Sequence, residues 1–301
     1  MGNSEGRVRP LPQLFALRAG IAAARKEARN LETTNQTFEL LDSSRLKALR
    51  SEGRTFYILG SGASVNDLGK NEWDEVSAGF SVGLNSWAFH PFVPSAYAFE
   101  NPRHKTFDAQ ADAINAGLER NQVIDAQPSI FFFRNPPVPS YAKTLRIPAG
   151  LSGFTRVYGR VQFPRVREQA LEGLLRGYFR FQTDASSSST LLLDNGSTVI
   201  RMIDLALKTG FNKIVLLGVD LGSRPYFFED DPSVLSRLGL PPLRLSDSSG
   251  SHATQDEHSR TTSFTVFLRA LSRVVTETHS TDIRFVGASP ALKGVIRQHG
   301  L

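Results

Sequence analysis

Two glycines one residue apart, Gly60 and Gly62, close the apolar run "FYIL" at residues 56–59 and open a polar, helix-like continuation, "ASVNDL". Glycines after a strand let the backbone turn tightly, and amides at a helix start favour an anion such as phosphate or carboxylate. The residues Gly60, Ser61 and Gly62 are therefore candidate anion contacts. Asn85 in "FSVGLN" and Asn101 in "AFENP" each close a further apolar run. Ligands of open α/β sheets collect outside the carboxyl ends of the strands, so both asparagines are expected to share the crevice of the glycine turn. A carboxamide donates and accepts, which suits base and sugar edges. His258, in "DEHSRTT", titrates near neutrality and is a candidate general base for a hydroxyl.

Other chemistries fit less well. A dinucleotide fingerprint needs a third glycine where Val65 stands and an acidic residue where Asn85 ends the next strand. No Gly-Lys-Ser/Thr follows the turn, which excludes a P-loop. A pyrophosphokinase-like enzyme with a similar turn would want aspartates at the strand ends and magnesium. The chain has no cysteine, which excludes disulfides, thiolate zinc sites and a cysteine nucleophile. His252 and His258 lack a third ligand at zinc spacing. The acidic "FFEDD" at residues 227–231 reads as an exposed turn rather than a magnesium site. No metal is expected.

The elements that must position these residues follow from the pattern. Six short apolar runs, "TFYILG", "FSVGLN", "AYAFEN", "SIFFFRN", "KIVLLGVD" and "IRFVGAS", alternate with polar or helical segments. That is an α/β fold, a doubly wound and mostly parallel sheet of Rossmann-like plan. Val199, Ile203 and Leu207, with Met202 and Leu205, have helical spacing closed by Gly210. Residues 1–52 read as an N-terminal helical extension. Residues 53–220 and 258–301 form the main unit, and the Pro-, Gly-, Ser- and Asp-rich stretch 221–257 a small lid insertion over the cleft.

The net charge of +6 is concentrated: ten Lys/Arg against six Asp/Glu over residues 1–54, and eight against two over residues 141–180. A solvated basic face is the plain reading, and attraction to anionic lipid or glycan the other. Leu14, Leu17 and Ile21 could lie on a membrane surface or pack on the main domain. No run is long enough for a membrane span, and neither a signal peptide nor a myristoylation motif is read at the N-terminus. A cytoplasmic location, peripheral at most to an inner membrane, is expected. Nucleic acid is not the expected partner, although Phe154, Tyr158, Phe163, Tyr178 and Phe179 interleave with arginines.

These pieces in their order resemble the bacterial lipooligosaccharide sialyltransferases of glycosyltransferase family 42. The resemblance rests on "YILGSGASVNDL", "FSVGLN", "AFENP", "GSTVIRMIDLALKTGFNKIVLLGVDL", "RPYFFED", "HSRT" and "IRFVGASP", and covers about residues 54–301, with the basic stretch 141–180 poorly matched. It implies a GT-A-like variant fold and metal-independent, inverting transfer of sialic acid from a CMP-activated donor to a glycan hydroxyl. Under it, Gly60, Ser61 and Gly62 lie along the nucleotide phosphate, and Asn85 and Asn101 hold the cytidine and the sugar end. Ser197 and Thr198 sit near the donor carboxylate, Tyr226 and Arg224 meet the departing phosphate, and His258 is the base. Two family residues differ: a second tyrosine falls at Leu221 or Gly222, and an arginine at Asn195. A related ulosonic acid such as Kdo or pseudaminic acid is thereby an alternative donor. A non-catalytic nucleotide-binding module stays open as a second reading, as does homo-oligomerisation.

Overall fold

In a computed structural model, residues 12–34, 39–40, 55–99, 107–120, 130–133, 155–164, 166–183, 191–221, 224–245, 262–287 and 289–299 are described. All six apolar runs form strands: β2 (Phe56–Leu59), β3 (Phe80–Leu84), β4 (Ala96–Phe99), β5 (Ile130–Phe133), β9 (Lys213–Leu217) and β10 (Asp282–Phe285). Short additions at the edges, β1 (Glu39–Leu40), β6 (Thr155–Val157) and β11 (Arg297–Gln298), complete a nine-stranded sheet. Its order is β1-β6-β5-β4-β3-β2-β9-β10-β11, and its described ladders are parallel.

Side chains alternate between the two faces, as the pleat requires. Phe56, Ile58, Val82, Leu84, Ile214 and Leu216 point into one core, and Tyr57, Leu59, Tyr97, Phe99, Val215 and Leu217 into another. With both faces covered, the central strands read as unbroken apolar runs rather than alternating ones, which is why they were legible. The first face is closed by α1 (Pro12–Thr34), α4 (Glu168–Thr183), α5 (Thr198–Lys208) and α8 (Phe264–His279). The second is closed by α2 (Lys70–Ala78), α3 (Phe107–Arg120) and two short helices, α6 (Phe227–Asp230) and α7 (Ser233–Arg237). The fold is a doubly wound α/β sheet. Chain order reverses at β2: β3, β4 and β5 follow on one side, β9 and β10 on the other.

A second, two-stranded parallel sheet pairs β7 (Gly159–Gln162) with β8 (Leu191–Asp194), and α4 connects them. Against this unit lies α1, with Leu17, Ile21 and Ala24 buried in the first core. Leu17, Ile21 and Ala24 are thus covered by protein, while Phe15 on the same helix is exposed. Three ion pairs on the outside, Glu168–Arg269 at 3.9 Å, Glu172–Arg273 at 3.3 Å and Arg176–Glu277 at 2.5 Å, step along α4 and α8 four residues at a time. Constant stepping in one direction fixes the two helices as parallel neighbours.

The stretch expected to be a loose lid is packed in its described part, residues 224–245. Phe227, Phe228, Val234, Leu235 and Leu238 are buried in the second core, against Trp87 and Phe89. Fully burying each such side chain is worth about 1.5–3 kcal/mol, so this segment is held as part of the domain. "FFEDD" divides accordingly: its phenylalanines are interior, while Asp230 and Asp231 are exposed. Among the described residues no helix is long and apolar enough to cross a membrane.

Candidate functional site

At the carboxyl end of β2 the chain enters the glycine turn at the point where strand order reverses. The amide of Gly60 donates to the Leu217 carbonyl at 2.7 Å, that of Gly62 to the Gly218 carbonyl at 2.8 Å, and that of Ala63 to the Pro225 carbonyl at 3.0 Å. The Ser64 amide donates to Asp220 Oδ2 at 2.8 Å, and its hydroxyl to Oδ1 at 2.5 Å. Of the five residues 60–64, only Ser61 has an amide that does not donate to an acceptor among the described residues.

The expectation of free amides cradling a phosphate is therefore corrected. The loop after β9 lies where such an anion would sit, and the anion at the start of the following 3₁₀ turn is the carboxylate of Asp220. Both glycines have a structural cause in the same contact. A Cβ on Gly60 would lie 2.4 Å from the Gly218 carbonyl oxygen, and one on Gly62 2.4 Å from Asp220 Oδ2.

Asn85 follows β3 with φ of 48°, a left-handed conformation that asparagine tolerates better than most residues. The Ser61 hydroxyl donates to the Leu84 carbonyl at 3.2 Å, which ties the glycine turn to this strand end. Ser61 and Asn85 are brought together. Asn101 and His258 lie outside the described residues, as does His252.

Ser197 and Thr198 begin α5, which leaves the carboxyl end of β8 and returns toward the amino end of β9. Since β9 runs parallel to β2 and α5 packs on β2 and β3, this helix start belongs to the same rim of the sheet as the glycine turn. Beneath it is a charged group that sequence reasoning missed. Arg201, fully buried, donates to Asp194 Oδ1 at 2.6 Å and to Thr198 Oγ1 at 2.8 Å. Arg160, from β7, donates to Asp194 Oδ2 at 3.1 Å, and the Gly196 amide to Oδ1 at 2.7 Å. The signal was an arginine set between Ile200 and Met202 on an apolar helix, where only a buried partner would make it tolerable. Asn195 Oδ1 is buried without a partner among the described residues.

Tyr226 and Arg224 flank the turn from the second face. Tyr226 pairs with Gly62 in an isolated antiparallel bridge, and its ring stacks on Phe228 with centroids 5.4 Å apart. The Arg224 guanidinium is paired with Asp67 and lies 3.8 Å from Asp230, and the hydrogen bond it donates to Asp67 raises its pKa further. It faces carboxylates rather than an open position.

The described histidines are not poised as bases on this rim. His90 is buried, stacks on Trp87 at 4.4 Å and accepts from the Phe92 amide at 3.1 Å; burial, then Arg237, pushes it down to about 3. Burial also lowers His279 and His299. Among the described residues there is no group of three or more His, Cys, Asp or Glu that could hold a metal.

No protein-family model matches the chain, and neither does any curated protein. Among solved structures it is similar to the MAf glycosyltransferase from Magnetospirillum magneticum AMB-1, at 15% identity and a TM-score of 0.43, over 91% of this chain and 36% of that one. The chain spans about a third of the length of that neighbour.

Proposed function

We propose that the protein is a glycosyltransferase that moves sialic acid, or a related ulosonic acid, from a CMP-activated donor to a glycan hydroxyl, inverting and without metal. The observation that carries this reading is the carboxyl rim itself. There the turn at Ser61 is tied to the Leu84 carbonyl, next to Asn85, and shares its edge with the Ser197–Thr198 helix start, in the order of motifs that resembles family 42.

A CMP-linked 2-keto acid already has a good anionic leaving group. The protein needs to hold the donor, exclude water and remove a proton from the acceptor. Asn85 and Asn101 would hold the cytidine and sugar, and His258 would take the acceptor proton, a role typically worth about 10²–10⁴ in rate. The phosphate would meet Ser61, Tyr226 and Arg224 rather than the full set of turn amides. Arg224 would have to exchange Asp67 for phosphate; exposed pairs of this kind contribute about 0–1 kcal/mol, so the exchange is cheap.

Thermal shift with CMP, UMP, GDP and NAD tests the nucleotide: a ligand at a hundred times its dissociation constant stabilises by about 2.7 kcal/mol, and CMP alone should do so. Donor turnover followed by NMR tests the chemistry. His258→Ala with near-normal transfer would remove the base assignment.

The engaged amides of the turn and the Arg224–Asp67 pair favour one second reading, a nucleotide-binding module of the same fold without catalysis. It would give a dissociation constant for the CMP-sugar and release no free sugar in the same NMR experiment.

A further inference from the structure

The two sides of α1 differ from what a surface helix ordinarily shows. Leu17, Ile21 and Ala24 face the first core, and Leu14 packs on it in part. The opposite side should be charged and polar. Yet between residues 12 and 26 every exposed position except Arg18 and Lys26 is apolar. Among them is Phe15, 58% exposed and the one large hydrophobic side chain that stands in solvent among the described residues. No acid occurs from residue 12 to residue 26. Arg18, Arg25 and Lys26 have no carboxylate partner among the described residues.

The packing of α1 brings further positive charge to the same place. A Cβ on Gly177 of α4 would meet Leu14 Cδ2 at 2.8 Å, and the Arg18 guanidinium sits 4.5 Å from the centre of the Phe181 ring. Four residues along α1 thus match four along α4, so the two helices lie side by side and parallel. The basic stretches 1–54 and 141–180, far apart in the sequence, are neighbours at this seam, and Arg180 beside Phe181 is exposed. The acids of α4 face elsewhere: Glu168 and Glu172 pair with Arg269 and Arg273 on the flank toward α8.

We propose that the outward side of α1, from Phe15 to Lys26, is a docking surface for an anionic phospholipid membrane. Phe15 enters the headgroup layer, and Arg18 and Lys26 meet the lipid phosphates beside it. An aromatic anchor flanked by cations without acids is what a helix lying in such an interface requires. Each cation held near an anionic surface raises affinity about fivefold. A second copy of this chain is a poorer occupant, because a two-fold contact over this face would set cations against cations. The docking surface stands on α1 and its neighbour α4, so it is independent of the donor and the chemistry proposed above.

The test is co-sedimentation of the full chain with vesicles of phosphatidylcholine alone and of phosphatidylcholine mixed with phosphatidylglycerol. Wild type is compared with Phe15→Ser, with Phe15→Trp, and with Arg18→Gln combined with Lys26→Gln. The altered side chains are exposed, so all of these variants should fold. Binding should need the anionic lipid and weaken as salt is added. Phe15→Ser should lower the affinity about 10-fold and the double charge variant about 10- to 30-fold. Phe15→Trp, which keeps an aromatic suited to the interface, should bind like the wild type. Absence of binding to the mixed vesicles would overturn the proposal. So would an affinity that Phe15→Ser leaves unchanged, since the net charge of +6 would then attract the lipid without α1 docking. A wild-type dimer in sedimentation velocity that Phe15→Ser dissociates, with no vesicle binding, would overturn it too and give the face to a second copy.

Discussion

The carboxylate of Asp220 lies over the α-carbon of Gly62 and accepts both the amide and the hydroxyl of Ser64, locking the loop after β9 onto the turn after β2. The second glycine of the turn is there because an aspartate 158 positions later leaves no room for a side chain.

Gly62→Ala should accordingly destabilise the protein by about 1–3 kcal/mol, the usual range for overpacking a tight contact. Asp220→Ala introduced beside it removes the clashing atoms, so the double variant should be more stable than the two single losses added together. Urea midpoints of the four proteins give the coupling energy. Additive losses would mean that Asp220 is not what excludes the methyl group.

His90 makes stability depend on pH. Its folded-state value, about 3, lies below the ordinary 6.5, so between those values the unfolded chain binds more protons and stability rises with pH. The contribution is complete above about pH 6.5 and is lost as pH falls toward 3, with a slope of up to about 1.4 kcal/mol per pH unit. His90→Phe should keep the stack on Trp87 while leaving the Phe92 amide unbonded. It should be less stable at pH 7 by about 1–3 kcal/mol and show a flatter profile from pH 7 to 5.

Why some of this was legible and some not follows from range. Strands β2, β3, β4 and β9 are buried along nearly their whole length, so each is visible in its own few residues, whereas β10 alternates Asp282 and Arg284 with the buried Ile283 and Phe285. The edge strands β1 and β11 have two residues each and no pattern to read. α5 and its closing Gly210, at φ 82°, were visible in helical spacing. The segment from Arg224 was read as a lid because its Pro, Gly and Asp content hides Val234, Leu235 and Leu238, which have helical spacing of their own. The glycine turn misled for a physical reason: a bound phosphate and the chain's own Asp220 ask the same of a loop. Only the β2–β9 pairing, 156 residues apart at Ser64 and Asp220, tells them apart. The Asp194–Arg201 pair was within reach, seven residues apart, whereas Arg160 needed the pairing of β7 with β8.

Arg201→Met should be the most damaging of the substitutions at that group. Removing one member of a buried ion pair costs about 3–5 kcal/mol because the other is left uncompensated. Arg160 still touches Asp194, so the loss should fall toward the lower figure, and Arg201→Met with Asp194→Asn should regain part of it. Thermal unfolding of the three proteins decides this; equal losses in the single and double variants would mean that the charge on Asp194 is not what Arg201 offsets.

Asn85 offers a way to separate backbone from side chain on the same rim. At φ 48° a glycine is at ease, asparagine is tolerated and a branched or bulky residue is strained by about 1–2 kcal/mol. Asn85→Gly should therefore fold with stability within about 1 kcal/mol of the wild type, whereas Asn85→Val should lose at least that much. If the carboxamide holds a ligand, Asn85→Gly should nevertheless lose most of the thermal shift produced by CMP or CMP-sialic acid. A glycine variant that is both stable and fully responsive would show that this asparagine is retained for its backbone conformation, and would leave the nucleotide to other residues of the rim.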